Sequence, residues 1–487
     1  MNSVLHENSM ERYVRTYAGM RELEVSGEHV VPDKMQDIGL LGDTNAHIIL
    51  RAKRVEAGQG SMEGDLQIAV SYIPDGPSDL SVLELQIPWQ VQFQADELTE
   101  RGTAVGRVWV KKAETRMINP RKILTKIQLC AEFEVYEKQT VITYHEAESD
   151  GIVQMREETA ECSMVSTVCE KTFVATDEYP VPPDMVGGRI IGKNVQFRMD
   201  DVKTLTNKLI VKGSVISDVI MCASSGIPEK ISFSSSFSFI AETDTERLSP
   251  NVRVSIVPTG LYYELSSNGQ LLSVEVHGVC QLICFGKESV CYLSDAYSNF
   301  YECETKWDGI TVYTDARTIA HREMLTGKLI CRSQVAYIRF LTATVMQDTA
   351  GATVALSAFV QYENGMSDWL RGFMPVPMKS EGMLQAVRIS DLYGMINGTE
   401  IEYRMQVDVE QREEAAVRLE YITEILVDED QPKTFKHSSL MVVRADGSLW
   451  DYAKRYGSTV ALMKAYNDLE EENLPQDTVV LIPRQRK

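Results

Sequence analysis

The feature that most restricts this chain is an order of strand patterns that recurs three times before residue 428. In the first stretch Val31-Pro32-Asp33 opens a segment that runs through Ile38-Gly39-Leu40-Leu41. An alternating strand, Leu66 to Tyr72, follows, and then Val82 to Phe93 and Thr103 to Lys111. Asn119-Pro120-Arg121-Lys122-Ile123 leads into a long strand, Leu124 to Tyr136. The second stretch opens on Val181-Pro182-Pro183-Asp184 and continues through Leu209 to Val215 and Ile231 to Ile240, where Phe233, Phe237 and Phe239 share one face. Val252 to Pro258, Tyr262 to Asn268 and Leu271 to Cys284 complete it. The third shows Thr353 to Tyr362, Leu370 to Pro377 and Leu384 to Ser390, then Asn397-Gly398-Thr399-Glu400-Ile401 before Glu402 to Glu410.

Period-two alternation, punctuated by Gly, Pro, Asn and Ser, specifies antiparallel sheet with one face buried and the other wet. Recurrence at roughly 100–150 residues is domain-sized, which favours sandwiches in tandem over a solenoid. The reading is a mainly β chain of antiparallel β-sandwich-like repeats over residues 1–145, 160–300 and 301–427. A polar link over 428–437 and a small α+β domain over 438–487 follow. Helix signals before the link are sparse, and Asn8 to Tyr17 and Asp295 to Tyr301 are the two candidates.

After the link the periodicity changes. Leu440-Met441-Val442-Val443 is a short strand, and Asp446-Gly447-Ser448 is a turn whose serine caps a helix. Leu449, Tyr452, Ala453 and Tyr456 fall at helical spacing, and Gly457 supplies the left-handed residue that ends the helix. Ser458 or Thr459 caps a second helix with Val460, Met463 and Tyr466 as its apolar stripe. Val479 to Pro483 is the returning strand, giving the order βααβ.

Charge and motif content narrow the function. The formal charge is −21, a field that repels phosphate backbones, so nucleic acid is excluded as a partner class. No apolar run approaches the ~18 residues of a membrane span, and the start lacks the pattern of an export signal, which points to the cytoplasm. The nine cysteines lie between Cys130 and Cys331 with no C-x-x-C pair. Even Cys280, Cys284 and Cys291, with His277 nearby, read as reduced core thiols rather than a metal site. The seven histidines form no metal pair at helical spacing, and no nucleophile elbow, P-loop or dinucleotide fingerprint occurs. The expectation is a protein with no catalytic residues, metal or cofactor.

The order V-P-D, alternating strand, Asn-x-Arg-Lys-Ile and long strand resembles the SPOCS domain of spore coat assembly proteins, over most of residues 20–430. The Ser-Leu-Trp, Tyr-Gly, Asn-x-Leu and Leu-Ile-Pro elements after residue 438 are similar to a LysM domain. Together they resemble the SipL-like spore coat morphogenetic proteins. That resemblance implies a non-catalytic adaptor of the mother-cell cytoplasm, acting at the forespore surface in the spore coat. Its partners would be the coat basement-layer ATPase, docked by the LysM domain, and other coat proteins. It also implies a shallow groove with Asp446, Gly447, Ser448, Leu449 and Trp450 on one side and Asn467, Leu469 and Leu474 on the other. The alternative is a peptidoglycan-binding protein that holds N-acetylglucosamine polymers in that groove. Two departures weigh against a glycan. The usual Gly-Asp-Ser/Thr order is inverted to Asp446-Gly447-Ser448, and Gln476-Asp477 stands where a Gly-Gln pair is common.

Overall fold

The computed structural model describes residues 5–76, 80–145, 151–222, 228–243, 248–348, 351–435 and 440–484. The protein is mainly β, in antiparallel sheets, and the first eighteen strands described fall into three groups of six that share one plan. In the first unit β1 (His6–Val30) is followed by a meander, β2 (Ile38–Glu56), β3 (Gln59–Pro74) and β4 (Ser81–Gln94). A hairpin, β5 (Thr103–Asn119) and β6 (Lys122–His145), then returns beside β1, giving one sheet ordered β1-β6-β5 and another ordered β2-β3-β4. The second unit repeats this with β7 (Val153–Pro180), β8 (Arg189–Leu205), β9 (Lys208–Cys222), β10 (Pro228–Glu242), β11 (Leu248–Leu265) and β12 (Leu271–Ser298). The third has β13 (Tyr301–Ile330), β14 (Val335–Gln347), β15 (Ala352–Tyr362), β16 (Ser367–Pro375), β17 (Met383–Asn397) and β18 (Glu400–Pro432). A bridge between Tyr313 and Ser163 joins the hairpin sheets of the second and third units into one of six strands.

Each unit buries alternate residues of its two sheets against one another. In the first unit Phe93 and Phe133 stack at 4.9 Å between Leu66, Ile68, Ile127 and Leu129. In the second Phe173 stacks on Phe237 at 4.1 Å, with Phe233 and Phe239 packed beside them, as the Ser/Phe alternation requires. The third closes over Val354, Leu356, Met405 and Val407.

The motifs at each unit's opening and in its last hairpin meet in space. Val31 N donates to Arg121 O at 2.9 Å, Val181 N to Gln270 O at 2.8 Å, and Cys331 N to Thr399 O at 2.9 Å. Among the described residues, only the first unit adds a side-chain clamp. Arg121 donates to the carbonyls of Val31 and Met35 at 2.9 and 2.8 Å, and to Asp33 and Asp37 at 3.1 and 3.0 Å. This accounts physically for Asp33 and Arg121 occurring together in that copy.

The first and last strands of each unit run past the sandwich, and the three resulting ribbons pack against each other as a stem. Tyr136, Val165, Phe285 and Tyr313 form one layer of its core. Val141, Met164, Tyr292, Ile310 and Tyr421 form another, and Val153, Leu293, Ile422 and Ile425 a third. All three units contribute to the middle layer.

Polar side chains that imitate backbone lock the units together. Gln281 accepts from Gly106 N at 2.8 Å and donates to Gly106 O at 2.7 Å, binding the second unit to the first like an extra rung of sheet. Gln196 treats Ile389 of the third unit the same way, at 3.0 and 3.1 Å. Nearby, Glu134 is buried between Arg253 and Arg15, and Arg253 also donates to the Tyr136 hydroxyl at 3.0 Å. Burial alone would raise the Glu134 carboxyl, but the two guanidiniums outweigh it and hold the group below its ordinary range.

Three sequence expectations need correction. Asn8 to Tyr17 is strand, not helix, because it pairs along β6 from Thr143 to Val135. Asp295 to Ser298 is the end of β12, paired with β7, and β13 begins at Tyr301. The polar link read over 428–437 starts later, since residues 428–432 are still strand and pair with the start of β13. His437 lies outside the described residues.

Candidate functional site

The last elements are β19 (Leu440–Ser448), α1 (Leu449–Tyr456), α2 (Val460–Asn467) and β20 (Asn473–Pro483). Local chemistry explains each boundary. Ser448 Oγ accepts from Trp450 N at 3.2 Å and caps α1, and Gly457, at φ 67°, ends it in the left-handed region. Thr459 Oγ1 accepts from Leu462 N at 3.1 Å and caps α2. Leu449, Ala453, Met463, Val480 and Ile482 form a small core. Tyr466, read as part of the α2 apolar stripe, instead stands 57% exposed, because α2 is only two turns long and turns that position outward.

The residues singled out for a groove have varied positions. Gly447 pairs with Leu474 and Ser448 with Asn473, and Leu449 N donates to Glu472 O at 2.9 Å, so the two sides are hydrogen-bonded together. Leu449 and Leu474 are core. Asn467 is a staple: its amide donates to Met463 O and Leu481 O at 2.7 Å, and its oxygen accepts from Leu481 N at 2.7 Å. Leu469 is half-buried against the core, while Asp446 and Gly447 are exposed. Asp446 lies 3.5 Å from the Tyr452 hydroxyl.

Trp450 has a different role. Its indole is 6% exposed and donates to Asp295 Oδ2 on β12 at 2.8 Å. Its ring meets Tyr297 edge-on at 4.9 Å, and the Arg156 guanidinium of β7 lies over it at 5.8 Å. Lys454 of α1 binds both oxygens of Asp295 at 2.7 and 2.8 Å. Tyr297 OH donates to Ser458 O at 3.1 Å, and Arg156 approaches Glu472 at 3.6 Å. The module is therefore seated on the stem through its own tryptophan and the loop that ends at Glu472.

Asp295, Tyr297 and Arg156 are the residues that sequence reading missed. Asp295-Ala296-Tyr297 was read as part of a short helix, and nothing along the chain ties it to Trp450, more than a hundred and fifty positions away. The face turned away from this seat carries Leu440, Val442 and Val479, which are 45%, 60% and 61% exposed on neighbouring strands. Among the described residues, no helix is long and apolar enough to cross a membrane.

With this geometry in hand, comparison with protein-family models, curated proteins and solved structures gives no match.

Proposed function

We propose that the protein is a non-catalytic adaptor of endospore coat assembly. In this reading the three units are SPOCS-like repeats forming a rigid platform. The C-terminal module is a LysM-like domain that docks a coat partner, the basement-layer ATPase, in the mother-cell cytoplasm at the forespore surface. The resemblance in the sequence is the source of this identity.

One observation favours protein docking over glycan binding. Trp450 of the implied groove, and Glu472, whose carbonyl accepts from Leu449 N, are engaged by Asp295, Tyr297 and Arg156 of the stem. A sugar polymer would have to compete with the chain's own side chains there. The β19–β20 face is open, and exposed apolar side chains on a two-stranded ribbon suit a protein surface.

The test is capture of the full chain on immobilised ATPase and, in parallel, on insoluble peptidoglycan. Retention on the ATPase, lost in Val442→Glu and Val479→Glu but kept in Tyr466→Ala, supports the adaptor. Retention on peptidoglycan without capture by the ATPase overturns it and makes wall binding the better account.

A further inference from the structure

The three meanders surround the head of the molecule, and a cleft opens where the meander of the third unit faces β2 of the first. It has a volume of about 290 Å³. That is near the lower end of the roughly 300–1,000 Å³ of small-molecule sites. Asp43 and Thr44 line one wall, Ser357 and Arg371 another, and Met346 and Phe373 close an apolar side.

Four features separate this cleft from ordinary packing. Asp43 is half-buried, and its carboxylate senses the Arg371 charge and receives the Thr44 backbone N–H, with no ion-pair partner among the described residues. Burial pushes its carboxyl up, and Arg371 only partly opposes this. Arg371 donates to Gly42 O and likewise has no carboxylate in ion-pair contact among the described residues. Ser357 is 3% exposed, and its hydroxyl has no hydrogen-bond partner. Phe373, a large aromatic, is 63% exposed at the rim.

The repeat plan supplies an internal control. Where the meander of the first unit faces β8 of the second, a cleft of about 280 Å³ occurs in the corresponding place. There the charges satisfy each other, with Lys193 bound to Glu84 at 3.1 Å. In the cleft between the third and first units, by contrast, Asp43 and Arg371 each lack an ion-pair partner among the described residues, beside an apolar wall.

We propose that this cleft binds a small zwitterion, an α-amino acid with an apolar side chain. Asp43 takes the ammonium, Arg371 the carboxylate, and Met346 and Phe373 the side chain. Ser357 lies within the cleft to accept or donate one further hydrogen bond. A ligand of zero net charge is favoured because the lining charges balance, Asp43 and Glu114 against Lys112 and Arg371. Neither a polyanion nor a polycation would find a surplus of the opposite sign.

The experiment is calorimetric titration of the full chain with L-leucine, L-methionine and L-phenylalanine, and with N-acetyl-L-leucinamide, which lacks both charges. At least one free amino acid should bind saturably, and the neutral derivative at least tenfold more weakly. Asp43→Asn should lose tenfold or more in affinity while its melting temperature stays level or rises. Phe373→Ala, on a side chain already mostly in water, should weaken binding severalfold, and it serves if Asp43→Asn fails to fold. Glu84→Gln in the corresponding cleft should change nothing. Absence of binding by all three amino acids to the folded wild type overturns the proposal. So does equal binding of the neutral derivative, or equal loss in Glu84→Gln.

Discussion

The junction between the first two units buries its charges, whereas the seat of the C-terminal module leaves them half in water. Arg253 and Glu134 are 7% and 6% exposed; Lys454 and Asp295 are 44% and 26% exposed. At the first place the pair is wrapped by Tyr136, Arg15 and the stem core, so removing one partner strands the other in a medium that cannot solvate it. At the second, water replaces a lost partner readily, and the energy resides in the buried indole and tyrosine instead. The units are thus held by groups that are costly to break singly, and the module by a smaller anchor that can be released without unfolding the rest.

The largest effect that would test this contrast is at the buried pair. Arg253→Met alone should lower stability by about 3–5 kcal/mol in denaturant melts, and the double change with Glu134→Leu should recover most of it. A loss under about 1 kcal/mol would put the junction in the same class as the seat and erase the distinction.

The same pair has a pH signature. The Glu134 carboxyl titrates below its unfolded value in the folded chain, so its contribution is fully present above that unfolded value, about pH 4.3. It is lost as pH falls through the lower folded value. Acid melting monitored by fluorescence should therefore steepen below about pH 4.3, and Glu134→Gln should flatten that limb.

Next in size is the seat. Trp450→Ala should cost about 3 kcal/mol, near the bottom of the range for truncating a buried aromatic. The loss should appear as faster amide exchange in residues 440–484, with exchange in β6 and β18 unchanged. Exchange that quickened everywhere would mean that the module and the units form one cooperative body. Asp295→Ala, which removes an acceptor shared by the indole and Lys454, should cost about 1–2 kcal/mol after allowance for its exposure.

The smallest effect concerns the thiols. Burial pushes Cys130 up to about 11 and Cys280 up to about 12, so neither should be alkylated at pH 8 in the folded chain. Mass spectrometry should find adducts confined to the half-exposed Cys169, Cys291 and Cys303 until denaturant is added. Early reaction at Cys280 would show the second unit opening on its own.

Much of the fold was legible wherever a strand buries one face. Leu66 to Tyr72, Val82 to Phe93, Ile231 to Ile240 and Thr353 to Tyr362 alternate cleanly and lie within β3, β4, β10 and β15. The strands missed were the opening pairs of each unit, β1 and β2, β7 and β8, β13 and β14. β1 shows the reason. It is an edge strand without one fully buried side chain, so its register comes from β6 and leaves little apolar period to read. At the candidate site, the caps at Ser448 and Gly457 were legible because capping is local. The use of Trp450 was not, because whether an indole faces a groove or a neighbour depends on what else is folded nearby.

By itself, the sequence determined that this is a β protein, that its pattern recurs three times, and that the end of the chain changes to two capped helices between strands. These follow from period and turn chemistry, which act over a few residues. Only the tertiary structure decided that the long outer strands gather into a common stem. It also decided that Gln281 and Gln196 serve as rungs between units, that Trp450 anchors the module, and that Asp43 and Arg371 line one cleft. Each of these joins residues far apart in the chain. The energy that selects such pairs is the desolvation of polar groups at closed interfaces, which has no period along a sequence.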